Sequence, residues 1–163
     1  MSPFKVRLLV YLAGHPLMPH RLKTSLLRLA GVVTDGPVGF GQWIVLYGEG
    51  TLRIGRNSGF MHRVTVDHSA DVTIGDNVAI GPGCSLMTAG HDMSDGSARC
   101  GAHVLRPITI ESGAWLAANV LVTGGVTIGA GAVIGAGSVV TRDVPPHTLW
   151  AGAPARELRS LPV

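Results

Sequence analysis

Two histidines, His91 and His103, lie in a stretch that reads TAGHDMSDGSARCGAHVLRPITI, residues 88 to 110. On either side of it the sequence repeats every six residues, and within it the repeat stops. A neutral imidazole beside an alcohol can take its proton during attack on a carbonyl, which contributes about 10²–10⁴-fold in rate. Because long interruptions of a compact fold are commonly functional, residues 89–107 are predicted to form a loop that carries a site.

The composition gives less support to disulfide, metal-binding, nucleic-acid-binding or membrane-spanning roles. Cys84 and Cys100 form neither a disulfide framework nor a CxxC metal pair, and they indicate reduced thiols in a cytoplasmic protein. Cys84 suits a small core position better than a nucleophile. The formal charge of +3 comes without a dense Lys/Arg run, so no nucleic-acid partner is expected. The apolar run from Leu8 to Ala13 is too short to span a bilayer and has no cleavage signal.

The repeat is carried by aliphatic residues at every sixth position, usually followed by a small residue. After the interruption the series consists of Ile110, Leu116, Val122, Ile128, Ile134 and Val140. Before it the series consists of Ile74, Ile80 and Leu86, preceded by Ile54, Phe60 and Val66, which are shifted by two residues. A fixed short period is typical of a solenoid, and a period of six does not keep one face on an α-helix.

The geometry of such a repeat follows from strand and turn physics. Alternation within each unit favours a short strand with one inward face, and small residues after the aliphatic one permit a tight corner. Three units make a triangular coil of about 18 residues, and coils stack about 4.8 Å apart. The sequence therefore predicts an all-β solenoid of about five coils, roughly 25 Å tall.

The stretch ITIESGAWLAANVLVTGGVTIGAGAVIGAGSVVTRDVP strongly resembles the hexapeptide-repeat acyltransferases. The resemblance covers about residues 30 to 160, and its most specific part is the tail GAGSVVTRDVPPHTLWAGAPARELR. It implies a left-handed parallel β-helix, a handedness that the period alone would not reveal. The tail looks most like the branch of sugar O-acetyltransferases that act on maltose, galactosides and exopolysaccharides.

An open solenoid exposes unpaired strand edges and an apolar core at both ends, so caps are expected. The predicted segments are an N-terminal helical cap over residues 1–31, the β-helix over residues 32–144 with its loop at 89–107, and a C-terminal cap over residues 145–163. At the C-terminal end the repeat is expected to stop at Pro145, Pro146 and Pro154.

The segment MPHRLKTSLLRLAG predicts the N-terminal helix, with Leu22, Leu26 and Leu29 on one face and Gly31 at its end. The favoured role is a lid in which this leucine face covers the first coil. A second role, as a membrane-surface helix near lipid-linked substrates, stays open, although membrane contact is not the expectation.

The resemblance implies acetyl-CoA as the acyl donor and His91 as the general base, because the family carries its catalytic histidine in a T-x-x-H motif that here begins at Thr88. It also implies a homotrimer in which the loop reaches a neighbouring subunit and the sites lie between subunits. His103, in the middle of the loop, is the weaker candidate base. The family orients the base with a partner group, for which Asp92 and Asp95 are both candidates.

The resemblance also carries over residues for the coenzyme. Small residues are expected along the pantetheine arm, a tryptophan near the acetyl group, and basic residues at the phosphates, where guanidinium groups donate paired hydrogen bonds. The residues matched in this way are Trp115, Ala118, Ala136, Thr141, Arg142, Arg156 and Arg159.

The acceptor side departs from the family pattern. Maltose- and galactoside-type enzymes use an asparagine in the coil before the catalytic one, and the stretch SGFMHRVTVDHSA contains none. Arg63, Asp67 and His68 are the candidates to face the acceptor instead. The expected acceptor is a small hydroxyl compound, in the first place a carbohydrate, whose identity the sequence leaves open.

Two alternatives remain beside the acetyltransferase. A γ-type carbonic anhydrase shares the solenoid but needs three histidines converging on a metal, and His62 and His68, six residues apart, are expected on successive corners. No metal is therefore expected. A non-catalytic β-helix scaffold would need neither His91 nor coenzyme A.

Overall fold

Three parallel sheets enclose one core in the computed structural model of the chain, which describes residues 3–15 and 17–163. Face 1 contains β1 (Val33–Thr34), β4 (Leu52–Ile54), β7 (Val72–Ile74), β12 (Ile108–Ile110) and β15 (Thr127–Ile128). Face 2 contains β2 (Gly39–Phe40), β5 (Gly59–Phe60), β8 (Ala79–Ile80), β13 (Trp115–Leu116), β16 (Val133–Ile134), β18 (Thr148–Gly152) and β19 (Ala155–Ser160). Face 3 contains β3 (Val45–Tyr47), β6 (Thr65–Asp67), β9 (Ser85–Met87), β14 (Leu121–Thr123) and β17 (Val139–Val140).

The aliphatic series forms the inward columns of this solenoid. On face 1, Ile54 is in register with Ile74, Ile74 with Ile110, and Ile110 with Ile128, and each is at most 2% exposed. Complete burial of such a side chain contributes about 1.5–3 kcal/mol. The prediction of an all-β solenoid with about five coils is confirmed, since faces 1 and 3 each contain five strands.

The coils differ in length, which the prediction of about 18 residues per coil did not include. Thr109 is in register with Thr127, eighteen residues on, but Leu52 is in register with Val72, twenty residues on. The additional residues lie at the corner between faces 3 and 1, in segments 48–51 and 68–71. They account for the two-residue shift between the aliphatic sets.

The N-terminal cap consists of two helices, α1 (Pro3–Ala13) and α2 (His20–Leu29), where the sequence predicted only the second. Val10, Ala13 and Leu27 join the buried core, so the two helices cover the first coil. Met1, Ser2 and Pro16 of the predicted cap lie outside the described residues. Among the described residues no helix has the length and apolar character needed to cross a membrane.

The orientation of α2 differs from the prediction, because of the three leucines only Leu26 packs against the core. Leu22 is 52% and Leu29 64% exposed, whereas Lys23, Thr24 and Leu27 on the other side of the helix are buried. The physical reason is the strand edge beneath the helix, whose backbone groups have no further coil to pair with. The Lys23 Nζ donates to the Phe40 carbonyl at 2.7 Å, and the Thr24 Oγ1 accepts from the Val38 N–H at 3.1 Å.

The C-terminal end is closed by strands. Although prolines 145 and 146 interrupt the hexapeptide pattern, β18 adds one more parallel strand to face 2 beside β16. The chain then turns back, and β19 pairs antiparallel with β18 as the outermost strand of that face. The last coil is therefore covered on face 2 by a hairpin.

We predict that Thr24→Val lowers the free energy of unfolding by about 1–3 kcal/mol, because a buried N–H at Val38 loses its acceptor while the side-chain volume is kept. Urea unfolding followed by circular dichroism measures the change. Ser25→Ala, one residue further along the exposed side of α2, is the control and should stay within about 0.5 kcal/mol of wild type. Equal stability of the Thr24 variant and wild type would contradict this role of the cap.

Candidate active site

The interruption forms a two-stranded hairpin, with β10 (Ala89–His91) antiparallel to β11 (His103–Leu105). The register places His91 opposite His103, and their ring centroids lie 4.6 Å apart. The His91 side chain lines a groove of about 740 Å³ between the hairpin and the solenoid. The groove is lined by residues 87–94 together with Val104, Arg106, Leu121, Thr123, Gly124 and Thr141.

A backbone carbonyl orients the His91 ring. Its Nδ1 lies 2.9 Å from the Gly101 carbonyl oxygen. Because a carbonyl only accepts hydrogen bonds, the Nδ1 carries the proton and the Nε2 keeps its lone pair. The side chain is exposed, so this lone pair is accessible to a ligand. This is the tautomer that a general base requires.

The carboxylates expected to orient His91 have other partners. Asp92 accepts hydrogen bonds from the backbone N–H and the hydroxyl of Ser94, which together lower the pKa of its carboxyl. Asp95 accepts hydrogen bonds from the backbone N–H and the hydroxyl of Ser97, and these lower the pKa of its carboxyl. The expectation of an aspartate partner is therefore corrected, since both side chains stabilise turns within the excursion.

The root of the hairpin is held by Asp67, which was expected to face the acceptor. Asp67 is 1% exposed, and its carboxylate accepts from Ser69 and from the Ala89 N–H at 2.9 Å. Thr88, also 1% exposed, donates its hydroxyl to the Asp67 carbonyl at 3.0 Å. Burial opposes ionisation of Asp67, but the hydrogen bonds from Ser69, Ala89 and Thr88 outweigh it and lower the pKa of the carboxyl.

The other two candidate acceptor residues also lie outside the His91 groove. His68 is partly buried, its Nδ1 lies 2.9 Å from the Gly50 carbonyl, and it lines a separate groove beside α1. Arg63 is exposed at the corner between faces 2 and 3, with φ 59°. The structure therefore does not bring Arg63, Asp67 and His68 together on one surface facing His91.

Four of the predicted coenzyme residues fall at two corners of face 3. Thr141 lines the His91 groove, and Arg142 follows it at the corner between faces 3 and 1. Ala118 and Ala136 stack at the opposite corner, where the Gly137 N–H donates to the Ala118 carbonyl at 2.9 Å. The strand β17 lies between Ala136 and Thr141, and the two corners are about 10 Å apart.

The remaining matched residues lie on face 2. Trp115 points outward from β13 and is 52% exposed. Arg156 and Arg159 are exposed on β19, the outermost strand of that face. The Arg156 Nη1 donates to the Ala155 carbonyl at 2.8 Å, so part of that guanidinium is engaged within β19.

Several residues that line the groove were not predicted from the sequence. Arg106 was assigned to the loop without a role, and its side chain packs over Gly125, where an added Cβ would lie 3.2 Å from the Arg106 Cδ. Thr123 follows Val122 as one of the small residues of the repeat, and Gly124 was given no role. An added Cβ on Gly124 would lie 2.6 Å from the Thr88 carbonyl oxygen, so a glycine is needed for the hairpin root to approach the coil. The sequence signal was a glycine pair facing the interruption.

Cys84 is buried in the core, as predicted, and burial raises the pKa of its thiol. The His62 Nδ1 accepts from the Gln42 N–H at 3.1 Å, so it is held against the neighbouring coil. Within residues 3–15 and 17–163, no three His, Cys, Asp or Glu side chains are grouped so that they could hold a metal ion.

The solenoid, with its six-residue period and the hairpin that interrupts it, defines a β-helix built from hexapeptide repeats. The family model "Bacterial transferase hexapeptide (six repeats)" matches residues 107–142. The chain is 39% identical over 128 residues to galactoside O-acetyltransferase of Escherichia coli, an alignment that covers 76% of this chain and 63% of that protein. The match therefore spans less than two thirds of that relative's length.

Solved structures extend the similarity over nearly the whole chain. A hexapeptide-repeat acetyltransferase of Vibrio cholerae complexed with acetyl coenzyme A matches with a TM-score of 0.80 and 33% identity, over 98% of this chain and 87% of that one. A maltose O-acetyltransferase of Clostridium difficile matches with a TM-score of 0.85 and 30% identity, over 97% and 85%. The chain belongs to the hexapeptide-repeat, left-handed β-helix acyltransferase family, as the resemblance indicated.

We predict that Asp67→Asn destabilises the protein by about 1–3 kcal/mol at pH 7, because the charged acceptor for Ala89 and Ser69 is lost. The pKa of Asp67 is lowered in the folded state, so its contribution is complete above the unfolded value of about 3.9 and is lost as the pH falls through the folded value. The difference from wild type should persist at pH 5 and shrink below about pH 4.

Urea unfolding of both proteins across this pH range measures the effect. Glu157→Gln, on the exposed strand β19, is the control and should show no such difference. A gap between wild type and the Asp67 variant that stays constant down to pH 3 would show that the carboxylate charge does not hold the hairpin root.

Proposed function

We propose that the chain is an acetyl-CoA-dependent O-acetyltransferase with a carbohydrate hydroxyl as acceptor and His91 as general base. The observation that carries this proposal is the hydrogen bond from the His91 Nδ1 to the Gly101 carbonyl, which leaves a basic Nε2 at the groove that also contains Thr141. Galactoside and maltose O-acetyltransferases among the similar proteins support the acceptor class.

In the proposed reaction the acceptor hydroxyl donates a hydrogen bond to the His91 Nε2. As its oxygen attacks the thioester carbonyl carbon, the proton moves to the Nε2 and a C–O bond forms. The tetrahedral intermediate then collapses, the C–S bond breaks, and the imidazolium returns the proton to the leaving sulfur. The Gly101 carbonyl keeps its hydrogen bond to the Nδ1 throughout and so favours the imidazolium.

The coenzyme is proposed to lie in a crevice between two chains of a homotrimer. Support comes from the two corners of face 3, because the groups at Thr141 and Ala136 lie about 10 Å apart across the same face. A narrow pantetheine arm can contact both groups if one chain supplies Thr141 and the next supplies Ala118 and Ala136. Arg142, Arg156 and Arg159 would then provide positive charge for the phosphates.

Thiol release from acetyl-CoA, measured with galactosides, maltose and other hydroxyl acceptors, tests the reaction. His91→Ala should lower kcat by about 10²–10⁴-fold and leave coenzyme A binding intact, because only the proton acceptor is removed. His103→Ala, opposite His91 in the same hairpin, is the matched comparison and should keep most of the activity.

Undiminished turnover by the His91 variant, or an equal loss in the His103 variant, would remove the base assignment. Calorimetry with coenzyme A separates the alternatives further. A wild-type chain that binds no coenzyme A and releases no thiol would favour the non-catalytic scaffold.

The placement between subunits predicts complementation between two inactive variants. His91→Ala and Ala136→Trp should each be inactive alone, because one lacks the base and the other obstructs the pantetheine arm. In a ring of three, every mixed trimer contains one site with both wild-type residues. Random coexpression should therefore restore about a quarter of wild-type activity.

Differently tagged chains allow the mixed trimers to be purified and their mass to be measured by light scattering. Mixed trimers without activity would show that His91 and Ala136 act within one chain, and a monomeric mass for the wild type would exclude the shared crevice.

A further inference from the structure

Charge is divided unevenly along this chain. The first 31 residues contain five Lys or Arg and no Asp or Glu, while the remainder contains eight Arg against ten Asp or Glu. The excess positive charge of the whole protein therefore belongs to the helical cap. Such asymmetry is typical of a segment that binds an anionic surface. Of the five, Lys5 and Arg28 are exposed on the two helices, and Arg28 also donates to Thr34. Lys23 is buried towards the coil.

The same cap exposes large apolar side chains. We define the outer leucine face as Leu22 and Leu29 of α2, which are 52% and 64% exposed, whereas Leu26 between them is partly buried against the core. Leu17, in the connection between the helices, is 85% exposed. Because Lys23 and Thr24 occupy the side towards the coil, this face points away from the solenoid.

An exposed aromatic pair lies at the edge of the cap. Tyr11 of α1 is 59% and Trp43 62% exposed, and together with His15 they line one small cleft. Trp43 occupies a corner position with φ 59°, a left-handed conformation that Gly83 adopts at the equivalent corner two coils further on. A bulky side chain is uncommon there. Tyrosine and tryptophan are enriched where an apolar interior meets water, as at the surface of a bilayer.

We propose that the helical cap and Trp43 bind the surface of an anionic membrane, with the outer leucine face inserted at the interface. An amphipathic basic helix with exposed leucines and flanking aromatic residues has the chemistry of an interfacial anchor. Nucleic acid would use the basic residues but would leave the leucines exposed to water. A second copy of this chain would bring two positively charged caps together. This inference is independent of the proposed reaction.

Flotation of the full-length chain with lipid vesicles tests the proposal. Binding is expected to phosphatidylcholine vesicles that contain about one third phosphatidylglycerol, to weaken at about 0.5 M salt, and to be at least about tenfold weaker with phosphatidylcholine alone. The double variant Leu22→Ser/Leu29→Ser should lose at least about tenfold in binding to the anionic vesicles.

Leu158→Ser is the matched control, because Leu158 is 63% exposed on β19, outside the cap, and this variant should bind like wild type. Circular dichroism confirms that the variants are folded. The proposal is overturned if wild type binds neither vesicle, binds both equally, or binds as well after the double substitution. If wild type does not bind vesicles and the double leucine variant differs from it only in oligomeric mass, the proposal is also overturned, and the outer leucine face is an interface between copies of the chain.

Tryptophan fluorescence gives a second readout that does not depend on the leucine variants. Anionic vesicles should shift the emission of the wild type to the blue, because Trp43 leaves water. Trp43→Phe should abolish the shift, whereas Trp115→Phe should retain it, since Trp115 points outward from face 2. Loss of the shift only in the Trp115 variant would place the lipid elsewhere and reject the cap as the binding surface.

Discussion

Hydrogen bonding between successive coils is the constraint on which the rest of this structure depends. Each coil can satisfy its backbone N–H and C=O groups only if the coils above and below present theirs in register. That requirement aligns the inward residues into columns such as Ile54, Ile74, Ile110 and Ile128. The first and the last coil each have one strand edge whose backbone groups face no further coil, so each end must be capped by other residues. The side chains of α2 satisfy one edge, and the hairpin of β18 and β19 covers the other.

Corners are the places where this constraint is relaxed. Extra residues in the early coils and the hairpin with His91 all leave from the corner between faces 3 and 1, so the ladders on the faces stay intact. A loop that begins at a corner still needs a fixed root if it is to hold a catalytic group. Asp67 and Thr88 supply it, because both are buried and bonded across the first residues of the excursion. The His91 imidazole is thus exposed at its Nε2, while the root of its hairpin is held by buried hydrogen bonds.

Much of the fold could be predicted because a six-residue period has few structural solutions, and the interruption around His91 was visible against it. Features that depend on three-dimensional register were not predictable. The Gly101 carbonyl reaches His91 only because β10 and β11 pair in one particular register, and no side-chain identity encodes that contact. The coil length was obscured by corner residues, and the burial of Asp67 depends on the path of the excursion above it. The helix α1 was overlooked because its short apolar run was considered only as a targeting signal.

The orientation of α2, which exposes Leu22 and Leu29 and buries Lys23 and Thr24, shows why amphipathic pattern alone does not determine which face of a cap is buried. A leucine stripe is expected to face a core, but the end of a β-solenoid offers backbone donors and acceptors as well as apolar side chains. A lysine and a threonine that satisfy those groups avoid the cost of leaving them unpaired, about 1–3 kcal/mol for each. Leu27 and the helix α1 supply the apolar contacts that remain necessary. Leu22 and Leu29 are thereby left on the outside of a cap whose sequence contains five Lys or Arg and no Asp or Glu, in an arrangement that the stability of the coil alone does not require.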